Sequence, residues 1–105
     1  MAFVRVCAAK DIWEGEMEAF VVQGRQVLVV HVAGELRAYQ GTCPHQRVSL
    51  VHGWLEGCVL TCSAHLWQFD ARTGVGLNPA SARLERFPIK TEGNDVLVGE
   101  PTDEF

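Results

Sequence analysis

Four residues able to ligate a metal stand in two tight pairs, Cys43-Pro44-His45 and Cys62-Ser63-Ala64-His65, with 16 residues between the pairs. Each pair offers one thiol and one imidazole. They can share a centre only if the chain folds back and sets the two loops side by side. The intervening segment contains Cys58-Val59-Leu60-Thr61, a short strand by its β-branched content, which ends on Cys62 and can deliver it. Pro44, between two candidate ligands, fixes the backbone and removes one N–H donor.

The rest of the chain reads as strand. Phe20-Val21-Val22 and Val27 to Val32 flank Gln23-Gly24-Arg25-Gln26, which predicts a hairpin. Ala33-Gly34-Glu35 predicts the next turn, into Leu36-Arg37-Ala38-Tyr39. Leu66 to Asp70 predicts a strand closed by Ala71-Arg72-Thr73-Gly74. Leu84 to Ile89 and Val96 to Val98 predict two strands around Thr91 to Asp95. Helical periodicity is confined to one possible turn within Ala8 to Trp13. The expected fold is all-β, an antiparallel β-sandwich base with a small lobe at about 40–80. That lobe is richer in Gly, Pro, His and Trp and carries both Cys-His pairs. A chain of 105 residues suits one domain spanning 1–105.

The net charge of -4 argues against nucleic acid as a partner. No stretch approaches the roughly 18 to 20 apolar residues of a membrane span. Met1 to Arg5 lacks a secretory signal, so a cytoplasmic location and reduced thiols are expected. The cysteines then read as ligands or buried thiols rather than disulfides. Charge is uneven. Asp11, Glu14, Glu16 and Glu18 form one acidic stretch. Between Leu36 and Lys90, Arg37, Arg47, Arg72, Arg83, Arg86 and Lys90 outnumber Glu56, Asp70 and Glu85. This pattern serves solubility, or it orients a docking partner.

Three kinds of chemistry compete for the paired residues. A nucleophilic cysteine beside a histidine uses one pair and leaves the other idle. Tetrahedral zinc accepts two cysteines and two histidines, although common zinc patterns pair like with like. A [2Fe-2S] centre with two histidines replacing two cysteines on one iron suits the mixed pairs.

The spacing Cys43-x-His45, then 16 residues, then Cys62-x-x-His65 matches the Rieske motif. Three further stretches extend the likeness: Asp11-Ile12-Trp13-x-Gly15-Glu16-Met17-Glu18, Ala38-Tyr39-Gln40, and Cys62-x-Ala64-His65-Leu66-Trp67. With Cys43-Pro44-His45-Gln46 they make the chain resemble, from about Phe3 to Val98, the small Rieske ferredoxins of toluene and related aromatic monooxygenases. The resemblance implies one [2Fe-2S] cluster on Cys43, His45, Cys62 and His65, and no catalytic residues. It places Gln46, Trp67 and Pro79 beside the cluster or at a docking surface. It implies a carrier of single electrons from an NADH-dependent flavin/iron-sulfur reductase to a diiron hydroxylase, and a monomer is expected.

High-potential respiratory relatives add a cysteine to each loop, where this chain has Val48 and Ala64. They also place a serine where it has Trp67. A low potential is therefore expected, near the roughly -150 mV end of the Rieske range. The alternatives are a ferredoxin of an aromatic ring dioxygenase, a fixed relay within a larger enzyme, and a zinc-bound interaction module. Cys7 and Cys58 read as buried thiols, and His31 and His52 as core or surface histidines. Trp13 and Trp54 read as apolar anchors or docking residues. Gly74 to Pro79 resembles the family's third, cluster-covering loop.

Overall fold

Val27 to Val32 is apolar at almost every position because this strand has no solvent face. Its residues alternate between two separate cores: Leu28, Val30 and Val32 enter one, Val27 and Val29 the other. The computed structural model describes residues 3–44, 48–64 and 66–100. These form eleven strands: β1 (Phe3–Ala8), β2 (Met17–Val22), β3 (Arg25–Val32), β4 (Glu35–Gln40), β5 (Trp54–Glu56), β6 (Val59–Thr61), β7 (Gln68–Asp70), β8 (Gly76–Asn78), β9 (Arg86–Phe87), β10 (Ile89–Glu92) and β11 (Asp95–Gly99). One sheet has the order β1-β11-β10, a second β2-β3-β4-β9 and a third β5-β6-β7-β8, with every pairing antiparallel.

The first two sheets form the sandwich base. Cys7, Val96 and Val98 from one meet Val22, Val27, Val29, Ala38 and Phe87 from the other. The third sheet is the lobe. Its Leu60 and Phe69 pack on the opposite face of the second sheet, against Leu28, Val30, Val32 and Tyr39. The all-β expectation therefore holds. A 3-10 turn at Ala9–Asp11 falls where a helical turn was expected, and a second, unforeseen one at Leu50–His52 buries Leu50.

The hairpin turns are tighter than the composition suggested. Gln23-Gly24 alone joins β2 to β3, and Ala33-Gly34 alone joins β3 to β4. All four residues have positive φ, at 50°, 81°, 52° and 77° in chain order. That is the arrangement of type I′ turns, whose twist matches the flanking strands, so pairing continues to Arg25 and Glu35.

The single strand expected over Leu84 to Ile89 is two strands in different sheets. Pro88 lies between β9, which pairs with β4, and β10, which pairs with β11. Proline has no N–H for a ladder, so the chain changes sheets there.

Tyr39 ties base to lobe. Its buried hydroxyl donates to the Ala71 carbonyl at 2.7 Å. Burial pushes its pKa up to about 12, from 10.0. The unfolded chain therefore loses this proton first as pH rises. Stability from this group is full below pH 10 and lost as pH climbs through 12, by about 2–3 kcal/mol. Urea melts across this range should show the decline. Tyr39→Phe should cost about 1 kcal/mol at pH 8 and reduce the alkaline slope.

Candidate metal centre

Two hairpins of the lobe are each held together at the root. The first is closed by an antiparallel bridge between Thr42 and Ser49 and by a bond from Leu50 N–H to the Gly41 carbonyl at 2.9 Å. The second continues the β6–β7 ladder, in which Thr61 faces Gln68. A cysteine is the first residue past each ladder. Cys43 N–H donates to the Val48 carbonyl and Cys62 N–H to the Trp67 carbonyl, both at 2.8 Å. Each bond runs from a cysteine to the residue five positions later. The loops thus share one device, a backbone clasp that fixes the cysteine at the root.

Both cysteines have 0% exposure and belong to one apolar core, with Leu50, Leu60 and Phe69. Neither forms a disulfide. The two thiols share this core and are close enough for Cys43 to raise the pKa of Cys62. Burial pushes the Cys62 thiol up, and Cys43 adds to the rise. The Ala64 N–H, which donates to Cys62 Sγ at 3.4 Å, opposes it. Two adjacent thiols in an apolar setting become thiolates readily only beside a cation, so the donor set suits thiophilic iron. Among the described residues no third His, Cys, Asp or Glu joins them. His45, His65 and Gln46, the other expected site residues on these loops, lie outside the described residues.

Trp67 is half-buried and packs on the core that holds both thiols. Leu66, just before it, adopts φ 55° and is 59% exposed. A branched side chain in this region costs about 1–3 kcal/mol, strain of a kind concentrated at functional loops. Pro79, half-buried, follows β8, and its carbonyl accepts the Ala82 N–H at 3.2 Å. The stretch expected as a third loop, Gly74 to Pro79, thus contains an edge strand. Gly76 permits it: a Cβ there would stand 2.4 Å from the carbonyl oxygens of both Ala82 and Pro79.

The remaining candidates fall elsewhere. Cys7 belongs to the base core. Cys58 lies at the far end of β6 from Cys62, about 13 Å along the chain at ordinary strand rise. His31 Nδ1 bonds the Ile12 carbonyl at 2.8 Å, with Nε2 3.6 Å from Glu14. His52 is exposed in the second 3-10 turn. Trp13 and Trp54 are both exposed rather than core anchors. The backbone clasps and the Tyr39 bond had no signal in the residue pattern.

Residues 2–88 match the family described as Rieske [2Fe-2S] domain. The ferredoxin component of the alkene monooxygenase system of Xanthobacter autotrophicus is 52% identical over 92% of this chain and 80% of its own length. The ferredoxin component of biphenyl 2,3-dioxygenase of Rhodococcus jostii is 40% identical over 93% of this chain and 92% of its own. Among solved structures, a chain in the complex of reduced oxygenase and oxidized ferredoxin of carbazole 1,9a-dioxygenase superposes with a TM-score of 0.88. It is 30% identical and matched over 97% of both chains.

Proposed function

Because the chain belongs to the Rieske [2Fe-2S] domain family, we propose that Cys43, His45, Cys62 and His65 hold its cluster and that the 40–80 lobe presents it to redox partners. The chain carries one Rieske-type [2Fe-2S] cluster and is an electron-transfer component, not an oxygenation catalyst. The observation that carries the ligand assignment is the meeting of two fully buried, unbridged thiols at the roots of two matching hairpin loops. When bound, the cluster supplies a one-electron couple whose potential is raised by imidazole ligation.

The protein's own groups shape that couple. The Ala64 N–H stabilises negative charge on Cys62 Sγ. Trp67 shields the thiols from water on its side and offers no hydroxyl to a cluster sulfur. That absence supports a potential near the lower end of the Rieske range. Exposed Leu66, next to His65, gives the tip an apolar contact for transient docking.

One electron comes from an NADH-dependent flavin/iron-sulfur reductase and passes to the hydroxylase of a diiron monooxygenase. The protein acts as a cytoplasmic monomer. The relative at 52% identity supports a monooxygenase, and its own system is named for an alkene; a toluene-like aromatic substrate rests on the sequence resemblance alone. A ring-hydroxylating dioxygenase is the second reading, favoured by the biphenyl relative and the carbazole complex.

Stopped-flow oxidation of the reduced protein by each oxygenase tests the choice. The oxygenase of an alkene monooxygenase system should take the electron about tenfold faster than that of biphenyl dioxygenase, as closer interface complementarity requires. The reverse order selects the dioxygenase reading. A colourless, EPR-silent protein that contains zinc removes electron transfer altogether.

A further inference from the structure

Four described arginines have a carboxylate of their own: Arg5 pairs with Asp95, Arg25 with Glu85, Arg37 with Glu35 and Arg72 with Asp70. Arg83 and Arg86 have none among the described residues, and both are exposed. The two line one groove of about 490 Å³ where the lobe meets the base. Thr73 and Val75 form its lobe side, and Gln40 and Glu85 its base side.

The polar groups on that wall are already occupied. Glu85 is engaged by Arg25. Gln40 accepts the Glu85 N–H through Oε1 and donates to the Thr42 carbonyl through Nε2, both at 2.8 Å. The arginines themselves stand on fixed backbone. Arg83 bridges Val75, and Arg86 is in register with Tyr39. Three acids of the N-terminal stretch, Asp11, Glu16 and Glu18, gather around a different hollow, with Met17 and Val51. In a chain of net charge -4, this groove is a local reversal of sign. It suits a short acidic element rather than a polyanion.

We propose that the groove docks a carboxylate-bearing loop of the oxygenase component, an inference that rests on the functional reading above. A guanidinium offers forked donors that match a carboxylate, and two of them in one groove fix orientation as well as attraction. Because Thr73 and Val75 belong to the lobe, a partner held here lies against the cluster-bearing half of the molecule. It is thereby restrained from rotating about the tip. Exposed charges of this kind act chiefly on the association rate and its salt dependence.

The test uses cluster-loaded protein and the oxygenase of the alkene monooxygenase system. Arg83→Gln combined with Arg86→Gln should lower the second-order rate of electron transfer about tenfold at low salt. The deficit should shrink to about twofold at roughly 0.5 M salt. The lysine pair, Arg83→Lys with Arg86→Lys, should keep the wild-type salt slope. Arg5→Gln with Lys90→Gln removes the same charge from the base and should stay within about twofold of wild type. Unchanged midpoint potential and EPR spectrum in each variant confirm an intact lobe. A wild-type rate and salt slope in the Arg83/Arg86 glutamine pair, or an equal loss in the base control, overturns the docking groove alone. If the wild-type protein passes no electron to this oxygenase or to that of biphenyl dioxygenase, the functional reading fails and the groove's assignment falls with it.

Discussion

Alanine in place of Cys62 is expected to leave a protein without visible absorption, without acid-labile sulfide and with no EPR signal after dithionite reduction. Cys43→Ala should do the same. Each removes one of two thiols that meet at 0% exposure in the lobe core. A single remaining thiolate cannot hold an iron of the cluster against competing chelators. Cys7→Ala and Cys58→Ala should keep wild-type iron and sulfide content. Cys7 lies in the base core, on the far side of the second sheet from the lobe. Cys58 sits at the opposite end of β6, where its carbonyl, rather than its sulfur, is used, accepting the Ala71 N–H at 2.7 Å. These two substitutions should cost only about 1 kcal/mol from a small cavity. Iron and sulfide analysis of the four variants decides the matter. A Cys62→Ala protein with a full cluster, or a colourless Cys58→Ala protein, would reassign the ligands. Because metal binding free energy is also folding free energy, loss of the cluster should lower the melting temperature of the lobe as well.

The residue pattern revealed the parts of this molecule that depend on chemistry or on long periodicity. The mixed Cys-His pairs are rare enough to point to the Rieske family, which the match over residues 2–88 shows. The run from Val27 to Val32 identifies a strand covered on both faces. Half of the lobe was less legible: β6 and β7 lie within strands the pattern predicts, whereas β5 and β8, three residues each, carry no such signal. Alternation cannot be established over three positions, and β5 (Trp-Leu-Glu) and β8 (Gly-Leu-Asn) lack β-branched residues. Their pairing is a tertiary effect. β8 exists because Gly76 lets two carbonyls approach it and because β7 presents an unpaired edge. The same reason hides the two clasps that root Cys43 and Cys62. Both are backbone bonds to Val48 and Trp67, and a backbone carbonyl carries no mark in the residue type. Pro88 did carry a mark. Its missing N–H is what divides the strand expected over Leu84 to Ile89 between two sheets.

The position that joins these two levels is Gly53, and Gly53→Ala is expected to be the most damaging single-methyl change in the lobe. Gly53 has φ -86°, which any residue adopts, so the demand is for space. A Cβ there would stand 2.0 Å from the Thr61 carbonyl oxygen and 3.3 Å from Cys62 Cα. The obstruction is backbone and cannot swing aside like a side chain. Thr61 is fixed by its pairing with Trp54 and Gln68, so relief has to come from moving the peptide that leads into Cys62. Overpacking of this kind costs about 3 kcal/mol, or roughly 10–20 °C in melting temperature for a domain of this size. Gly24→Ala is the informative comparison. Gly24 has φ 81° but nothing within 4 Å of a Cβ, so it should cost only about 1 kcal/mol of backbone strain and leave the cluster spectrum unchanged. Gly53→Ala should instead lose cluster colour at a lower temperature than the base sheets melt, since its strain falls on the strand that leads into Cys62, a proposed ligand. Parallel visible and far-UV circular dichroism melts measure that gap. Coincident transitions at the wild-type temperature would mean that the Thr61–Cys62 backbone yields without cost, and the rigid-root account of the site would then be wrong.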